Sequence, residues 1–413
     1  MAHKFQSILE KYIAQGTDTK DKLLGAAFVL VNKDGPIYEV AAGRTRVDPD
    51  SAPFTPSSVT WLASGTKLIN TLTLMHLVEQ GMLTLDEDLR ARVPELAELP
   101  VLKGFTSIEK EGGEVEERAE LVPNETPITL RQLLTHTAGL GVDIADPDLA
   151  KWSRLTGRKD NINSCTVAGW STPLKFTPGE GWYYGTGPDW AGQALEHVTS
   201  ASLGQYMDEN IFGPLGLRAT GFRARKLFSS EPGESDGYVP VAERDGATGG
   251  LEERPVPFPA DPPCESGGGG LYSSAKDYGR VIQEVLRALA GENGTVIKQE
   301  TARDMFQPQL NEVQKTWLRA IVWTYGSAAE VPEGKHIDHG LGGILVLEDV
   351  EGGRKKGSMF FSGMCNMRWW IDPETGIGAV MLVNVIPYGD SAALALFGEL
   401  EKAVYDTDLK SQQ

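Results

Sequence analysis

Apolar and polar positions are distributed differently at the ends and in the middle of this chain. Two apolar runs near the N-terminus, residues 26–31 and 37–42, flank a polar turn segment and predict a β-hairpin. The C-terminal part predicts four more strands, at residues 343–347, 358–361, 367–371 and 377–385. Strands at both chain ends with helices between them indicate one sheet assembled from the two ends.

Between these strands, apolar residues recur at intervals of three and four, which is the spacing of amphipathic or buried helices. This spacing and the local start and stop signals predict helices at residues 5–15, 64–80, 129–136, 190–199 and 391–405. The stretches expected to be irregular are 101–127, 141–178 and 222–270, the first two as candidate lids or pocket walls. The predicted fold class is α+β, with a sheet domain of residues 1–100 and 265–413 and an inserted, mainly helical lobe of residues 101–264 that carries the lid loops.

Composition narrows the possible functions. With 40% hydrophobic and 23% charged residues, the 413-residue chain has the composition of a packed enzyme. Its formal net charge of -18 repels phosphate backbones and anionic membrane surfaces, so neither nucleic acid nor a membrane is expected as a partner. No apolar stretch approaches the ~20 residues that span a bilayer, and the first residues lack a signal-peptide core, which favours a cytoplasmic location.

The cysteines indicate neither a disulfide framework nor a zinc site. The chain has an odd number of cysteines, Cys165, Cys264 and Cys365. They lie far apart, and no histidine stands nearby at the spacing of metal ligands. We therefore expect no metal and no cofactor. The expected oligomeric state is a monomer or a weak homo-oligomer.

The chemistry of the chain is expected at the motif Ser64-x-x-Lys67. A serine at the first turn of a helix and a lysine three residues later share one helix face. A lysine at a buried helix start loses hydration, so its neutral form can take a proton from the serine. The alternative, a helix cap and a solvated lysine, is disfavoured by the apolar approach to Ser64 and the apolar helix that follows.

Three other serines match hydrolase patterns less well. Ser107 and Ser273 also precede a lysine by three positions, but neither is followed by a predicted apolar helix. Ser235 is the centre of a Gly-Glu-Ser-Asp-Gly segment, yet its flanking sequences exclude the strand and helix of a nucleophile elbow. We interpret the Ser235 segment as a surface turn.

Two glycine-containing segments can supply further groups to a cleft. Glycines surround Tyr183 and Tyr184 at residues 179–187, so tight turns there could present a phenol, although aromatic packing under a loop is the alternative. At residues 361–364 a predicted strand ends in small residues. A substrate could approach backbone N–H donors there, or the segment is a plain bulge.

Taken in chain order, these segments resemble the serine β-lactamase superfamily. The segments are Ser64-x-x-Lys67, Leu133-Leu134-Thr135-His136-Thr137-Ala138-Gly139-Leu140, Pro178-Gly179 leading to Tyr184, and Gly268-Gly269-Gly270-Leu271-Tyr272-Ser273. Within it the chain looks like the class C β-lactamase and family VIII carboxylesterase branch. Residues 341–349 and 369–372 are especially similar to fungal polyketide acyltransferases and esterases of the simvastatin-type transesterase group. The resemblance extends over residues 26–405.

This resemblance implies an antiparallel sheet flanked by helices beside an all-helical lobe, with Ser64 at the base of the cleft between them. Ser64 is then the acylated nucleophile, Lys67 its proton acceptor or relay, and Tyr184 the general base and acid. The oxyanion hole uses the backbone N–H groups of Ser64 and Met364, each worth about 3 kcal/mol in comparable enzymes. The residues expected to bind the substrate are Tyr183, Thr186, Phe361, Gly363 and Trp369.

Three positions depart from the family pattern. Thr186 replaces the asparagine two residues after the tyrosine, which puts a side-chain contact to amide substrates in doubt. Phe361 replaces the lysine of the strand motif, so that a β-lactam carboxylate loses its cation. Met364 stands where relatives often have glycine, although a backbone donor does not require a particular side chain. Together these departures favour an ester over a β-lactam.

The leading hypothesis is an enzyme of secondary metabolism that forms a Ser64 acyl intermediate from a bulky neutral ester or thioester. Tryptophans in the lid and cleft-edge segments indicate the bulky apolar substrate, a small molecule, with an acyl carrier as a further candidate donor. Hydrolysis and transesterification use the same residues, so the sequence leaves that choice open. The alternatives are a β-lactamase-like amide hydrolase and a non-catalytic ligand-binding relative. The retained Ser64, Lys67 and Tyr184 argue against the non-catalytic alternative.

Overall fold

The computed structural model describes residues 2–109, 115–227, 237–324 and 331–407. Its α-helices are α1 (Ala2–Tyr12), α2 (Thr66–Glu79), α3 (Pro94–Ala97), α4 (Leu130–Leu134), α5 (Pro147–Leu155), α6 (Val167–Trp170), α7 (Gly187–Thr199), α8 (Leu203–Met207), α9 (Gly213–Leu215), α10 (Ala224–Leu227), α11 (Ala275–Ala290), α12 (Gln299–Met305), α13 (Glu312–Thr324) and α14 (Ser391–Tyr405). Its strands are β1 (Gly25–Asn32), β2 (Gly35–Gly43), β3 (Val59–Trp61), β4 (Val101–Glu109), β5 (Val115–Val122), β6 (Val241–Arg244), β7 (Leu251–Arg254), β8 (Tyr272–Ser274), β9 (Ile337–His339), β10 (Ile344–Val346), β11 (Met359–Ser362), β12 (Arg368–Asp372), β13 (Ile377–Leu382) and β14 (Val385–Ile386). Ser235, the centre of the second hydrolase pattern, lies outside the described residues.

The main sheet joins the two ends of the chain. Among the described residues it has seven strands in the order β2, β1, β13, β12, β11, β10, β9, and every neighbouring pair is antiparallel. The N-terminal strand β1 pairs with the C-terminal strand β13 in a register that sets Val29 opposite Val380. The predicted α+β fold with an antiparallel sheet built from both chain ends is therefore confirmed.

Alternate residues of the central strands face two different helical layers, as the two-residue repeat of a strand requires. On one face, Phe28 and Trp370 pack with Phe5 of α1 and Phe397 of α14. On the other face α11 comes so close that a Cβ on Gly279 would lie 2.7 Å from a methyl group of Val29. The long helices thus cover both faces of the sheet and bury its apolar residues.

Two stretches that the sequence predicts as irregular contain strands. Residues 101–127 hold the hairpin of β4 and β5, in which Thr106 pairs with Arg118 and Ser107 with Glu117. Both faces of this hairpin carry polar residues, so its sequence lacks the alternation of apolar and polar positions that predicts a strand. Residues 222–270 hold the antiparallel pair β6 and β7.

The expectation that no helix follows Ser273 is also wrong. Ser273 lies in β8, and the next residue, Ser274, caps α11. The Ser274 side chain accepts a hydrogen bond from the backbone N–H of Asp277. Among the described residues, no helix combines the length and the apolar character needed to cross a bilayer. The division into a sheet domain of residues 1–100 and 265–413 and an inserted lobe of residues 101–264 stays a prediction.

Candidate active site

Ser64 lies in a short 3-10 turn, Ala63–Gly65, immediately before α2. The preceding Ala63 has φ +45°, in the left-handed region that costs a non-glycine residue roughly 1–2 kcal/mol. Two contacts hold the turn: the Tyr278 hydroxyl donates to the Gly65 carbonyl at 2.9 Å, and Met367 packs so tightly that a Cβ on Gly65 would lie 2.6 Å from its terminal methyl. Ser64 is therefore held by α11 and by the turn between β11 and β12.

Lys67 and Tyr184 both reach the Ser64 hydroxyl. Lys67 follows on the first turn of α2 and is only 6% exposed, and its Nζ donates to Ser64 Oγ at 3.0 Å and to the Gly268 carbonyl at 2.6 Å. The Tyr184 hydroxyl lies 2.5 Å from Ser64 Oγ. Lys67 Nζ also lies 4.7 Å from the centre of the Tyr184 ring. One hydrogen-bonded unit of a hydroxyl, an ammonium group and a phenol can thus move the serine proton.

Buried aromatic side chains pack next to Tyr184. The ring centre of His136 lies 4.7 Å from that of Tyr184, and His339 lies 5.6 Å from His136. Burial lowers the pKa of His136 well below its usual range, with smaller contributions from His339 and Lys67. Burial likewise lowers the pKa of His339 to about 4. Both imidazoles are therefore neutral at neutral pH.

Asp189 and Gly268 complete the surroundings of Lys67, and sequence reasoning did not single them out for this role. Asp189, in the first turn of α7, accepts hydrogen bonds from Ser266 Oγ at 2.5 Å and from the Gly268 N–H at 3.0 Å. The Gly268 carbonyl in turn accepts from Lys67. The run of four glycines at residues 267–270 was a visible signal for such a close approach, whereas nothing local marked Asp189.

The turn between β11 and β12 packs against the chain that leads to Ser64. A Cβ on Gly363 would lie 2.3 Å from the carbonyl oxygen of Leu62, so only glycine fits there. The Cys365 thiol donates to the carbonyl of Trp61 at 2.9 Å. Met364 lies on this turn and lines the same cavity as Ser64. The segment predicted to supply the second oxyanion donor is therefore next to the predicted nucleophile.

Ser64 opens into a cavity of about 310 Å³. Its wall includes three of the predicted substrate-binding residues, Tyr183, Phe361 and Gly363. Other side chains that line the cavity are mostly apolar: Trp61, Val142, Ile144, Trp182, Phe258, Ile321, Val322 and Ile344. A cavity of this kind suits a small molecule with an apolar body.

Thr186 and Trp369, predicted as substrate contacts, do not line this cavity. Thr186 is buried at the N-terminal boundary of α7, where its carbonyl accepts from the N–H groups of Asp189 and Trp190. Trp369 pairs with Phe361 across β11 and β12, but it is fully buried and packs against Tyr278 of α11. Both side chains thus lie in the packed interior, and the substrate-binding roles expected for them stay predictions. Among the described residues, no cluster of three or more metal-ligating side chains is present.

The fold and this serine, lysine and tyrosine arrangement define an enzyme of the serine β-lactamase type. The β-lactamase family model matches residues 7–401, and the chain belongs to that family. Lovastatin esterase of Penicillium rubens is 33% identical over 380 residues, which cover 88% of this chain and 90% of the relative. Monacolin J acid methylbutanoyltransferase of Aspergillus terreus is 32% identical over 352 residues, which cover 83% and 81%.

A solved structure has the same fold. A variant of the simvastatin synthase of Aspergillus terreus matches with a TM-score of 0.83 at 28% identity, covering 98% of this chain and 93% of the other. The predicted resemblance and the predicted class, an esterase or acyltransferase of the β-lactamase-like superfamily, are confirmed.

Proposed function

We propose that the protein transfers acyl groups through a Ser64 acyl-enzyme, taking them from a bulky neutral ester or thioester and passing them to water or an alcohol. The observation that carries this proposal is the hydroxyl of Ser64 at 2.5 Å from Tyr184 and 3.0 Å from Lys67, at the wall of a largely apolar cavity. A scaffold that only binds ligands has no need of a base beside a hydroxyl group.

Acylation begins when Ser64 Oγ attacks the carbonyl carbon of the substrate. Tyr184 takes the serine proton and then donates it to the departing alkoxide or thiolate as the carbon–oxygen or carbon–sulfur bond breaks. Lys67 donates to Ser64 Oγ, and its positive charge near the Tyr184 ring favours the phenolate that accepts the proton. The backbone N–H groups of Ser64 and Met364 stabilise the tetrahedral oxyanion.

Deacylation runs through the same groups in reverse. Tyr184 takes a proton from water or an alcohol, whose oxygen attacks the acyl carbonyl, and Ser64 leaves with that proton. The choice between hydrolysis and transfer depends on how well the acceptor displaces water from the cavity. The curated relatives named an esterase and a methylbutanoyltransferase support both outcomes.

The apolar lining of the cavity supports the proposed class of substrate. Val142, Ile144, Ile321 and Val322 give it an aliphatic surface. Phe361 also lines it, at the position where the family resemblance places a lysine. Relatives named for lovastatin and monacolin J support a polyketide-derived ester in secondary metabolism. An acyl carrier protein is a further candidate donor, because a thioester supplies the same acyl group.

The test is intact-protein mass spectrometry after a brief reaction with p-nitrophenyl butyrate. We expect a single butyryl adduct on Ser64, and release of p-nitrophenol in a burst. Ser64→Ala should form no adduct and retain its fold. Ser235→Ala is the matched control, because Ser235 carries the competing hydrolase pattern; it should retain activity within about twofold. An adduct on Ser235, or turnover by Ser64→Ala, would overturn the assignment.

The acyl acceptor is tested separately by adding an alcohol to the same reaction. Product analysis with and without the alcohol gives the ratio of ester formed to acid released. A larger share of ester at constant burst size indicates acyl transfer, whereas acid alone indicates an esterase.

A further inference from the structure

Asp189 is the buried carboxylate that reaches Lys67 through one intervening loop. It is 2% exposed and lies in the first turn of α7, five residues after Tyr184 in the chain. Its Oδ1 accepts from Ser266 Oγ and from the Gly268 N–H, at 2.5 and 3.0 Å. The same glycine offers its carbonyl to Lys67 Nζ at 2.6 Å. Asp189 and Lys67 are thus joined through Gly268.

The glycine loop packs closely against Asp189 and the residue before it. A Cβ on Gly268 would lie 2.6 Å from Asp189 Oδ2, and a Cβ on Gly267 would lie 2.6 Å from the carbonyl of Pro188. That same Pro188 carbonyl accepts from Asn70 Nδ2 of α2 at 2.9 Å. The glycine loop is therefore packed between α7 and α2, next to the carbonyl that receives Lys67.

We propose that Asp189 is a positioning residue for the acyl-transfer reaction, which orients Lys67 through the Gly268 loop and stabilises its ammonium form by charge. This inference rests on the proposed function, because it assigns a control on the group that activates Ser64. The positive charge of Lys67 favours the charged form of Asp189, against the burial that raises the pKa of this carboxyl group.

The other titratable groups around Lys67 and Asp189 do not supply a negative charge. His136 and His339 interact electrostatically with Lys67, but burial lowers the pKa of both, so they are neutral near pH 7. Cys165 faces Asp189, and burial raises the pKa of its thiol to about 12, so it is also neutral. Burial raises the pKa of Asp189, while Ser266, Lys67 and the Gly268 N–H favour its charged form. Tyr184 is the remaining titratable partner and contacts Ser64.

Removing the negative charge of Asp189 should shift the pH profile of acylation in one direction. Without this anion, groups that share the site lose their protons more readily, because a nearby negative charge disfavours deprotonation. Asp189→Asn keeps an acceptor oxygen for Ser266 and Gly268 but removes the charge. Both limbs of the pH profile for Ser64 acylation should therefore shift to lower pH, by about one pH unit. At the wild-type optimum kcat should fall, while KM stays within about twofold.

A control variant separates charge from structure. Asp277→Asn neutralises another buried aspartate in the first turn of a helix, which accepts from the Ala219 N–H at 2.7 Å, and it should leave the profile in place. Circular dichroism and thermal melting confirm that each variant is folded.

The measurement is the burst rate of p-nitrophenyl butyrate acylation between pH 5 and 10, with the Ser64 adduct verified by mass spectrometry. An acid shift in Asp189→Asn alone supports the proposal. If the folded Asp189→Asn variant keeps the pH profile of the wild type, or if Asp277→Asn shifts the profile equally, Asp189 has no electrostatic role and the inference is overturned. Absence of a Ser64 adduct in the wild type is a different result, since it contradicts the proposed function itself.

Discussion

Replacing Tyr184 by phenylalanine tests the proton network most directly. The change removes the hydroxyl that lies 2.5 Å from Ser64 Oγ and keeps the ring. That ring retains its packing on His136 at 4.7 Å and on Phe361 at 6.2 Å, so the fold should be unaffected. Any loss of rate then reports on the hydroxyl alone.

The expected loss is at least about a hundredfold in the rate of acylation, the lower range for a lost general base. This corresponds to about 2.7 kcal/mol in the activation free energy. Lys67→Ala should cost at least as much, because it removes the donor to Ser64 Oγ at 3.0 Å and the charge 4.7 Å from the Tyr184 ring. If the two residues acted independently, the double variant would lose about ten thousandfold.

We expect instead that the double variant is little worse than the poorer single variant. Tyr184 and Lys67 act on the same proton of Ser64, so once either is absent the other has little left to contribute. Stopped-flow measurement of the p-nitrophenol burst in the three variants gives the rates, and circular dichroism confirms folding. Lys67→Met serves as a volume-preserving control for the buried lysine.

Two results would refute this reasoning. Wild-type acylation by Tyr184→Phe would make Tyr184 a packed aromatic residue and require another base. Multiplicative losses in the double variant would mean that Lys67 and Tyr184 do not share a proton network.

Two further predictions follow from Phe361 and from the buried histidines. Nitrocefin should be hydrolysed far less efficiently than p-nitrophenyl butyrate, because Phe361 forfeits a charge-assisted hydrogen bond of about 1.5–3 kcal/mol to the β-lactam carboxylate; equal kcat/KM values for the two substrates would contradict the placement of Phe361. Burial lowers the pKa of His339 to about 4, whereas an unfolded histidine titrates near about 6.5, so the unfolded state binds more protons between these values and the free energy of unfolding should decrease as the pH falls through that window. Between pH 7.5 and pH 5, the melting temperature should decrease less in His339→Asn than in the wild type. An equal decrease in both proteins would exclude His339 as a source of the pH dependence.

Features that depend on near neighbours in the chain were predictable from the sequence. The helix predicted at residues 391–405 is observed as Ser391–Tyr405, because its apolar spacing and its Asp390 cap, which accepts from the Ala393 N–H, are both local. Ser64 and Lys67 are close for the same reason, since a helical turn brings residues three apart onto one face. The N-terminal hairpin of β1 and β2 likewise followed from two apolar runs around a short turn.

The hairpin of β4 and β5 shows where local pattern fails. Apart from the buried Val101 and Leu102, its residues are exposed or half-buried, and pairs such as Ser107 with Glu117 are polar, so no buried face imposes an alternation on most of the segment. Pairing between the two strands, rather than burial against a core, makes them regular. A polar stretch of this kind is indistinguishable from a loop by hydrophobic pattern alone.

Only the tertiary structure decided which distant residues meet at the site. Tyr184 is 120 residues from Ser64, and its role was expected from a family resemblance, not from its own neighbours in the chain. Asp189 gave no local signal, because its contact with Gly268 spans 79 residues. Trp369 shares a register pair with Phe361, yet it is fully buried, packs near Tyr278 and does not line the cavity. Helical spacing acts over a few residues, whereas contacts between distant segments depend on sheet register and helix packing, which form only when the whole chain has folded.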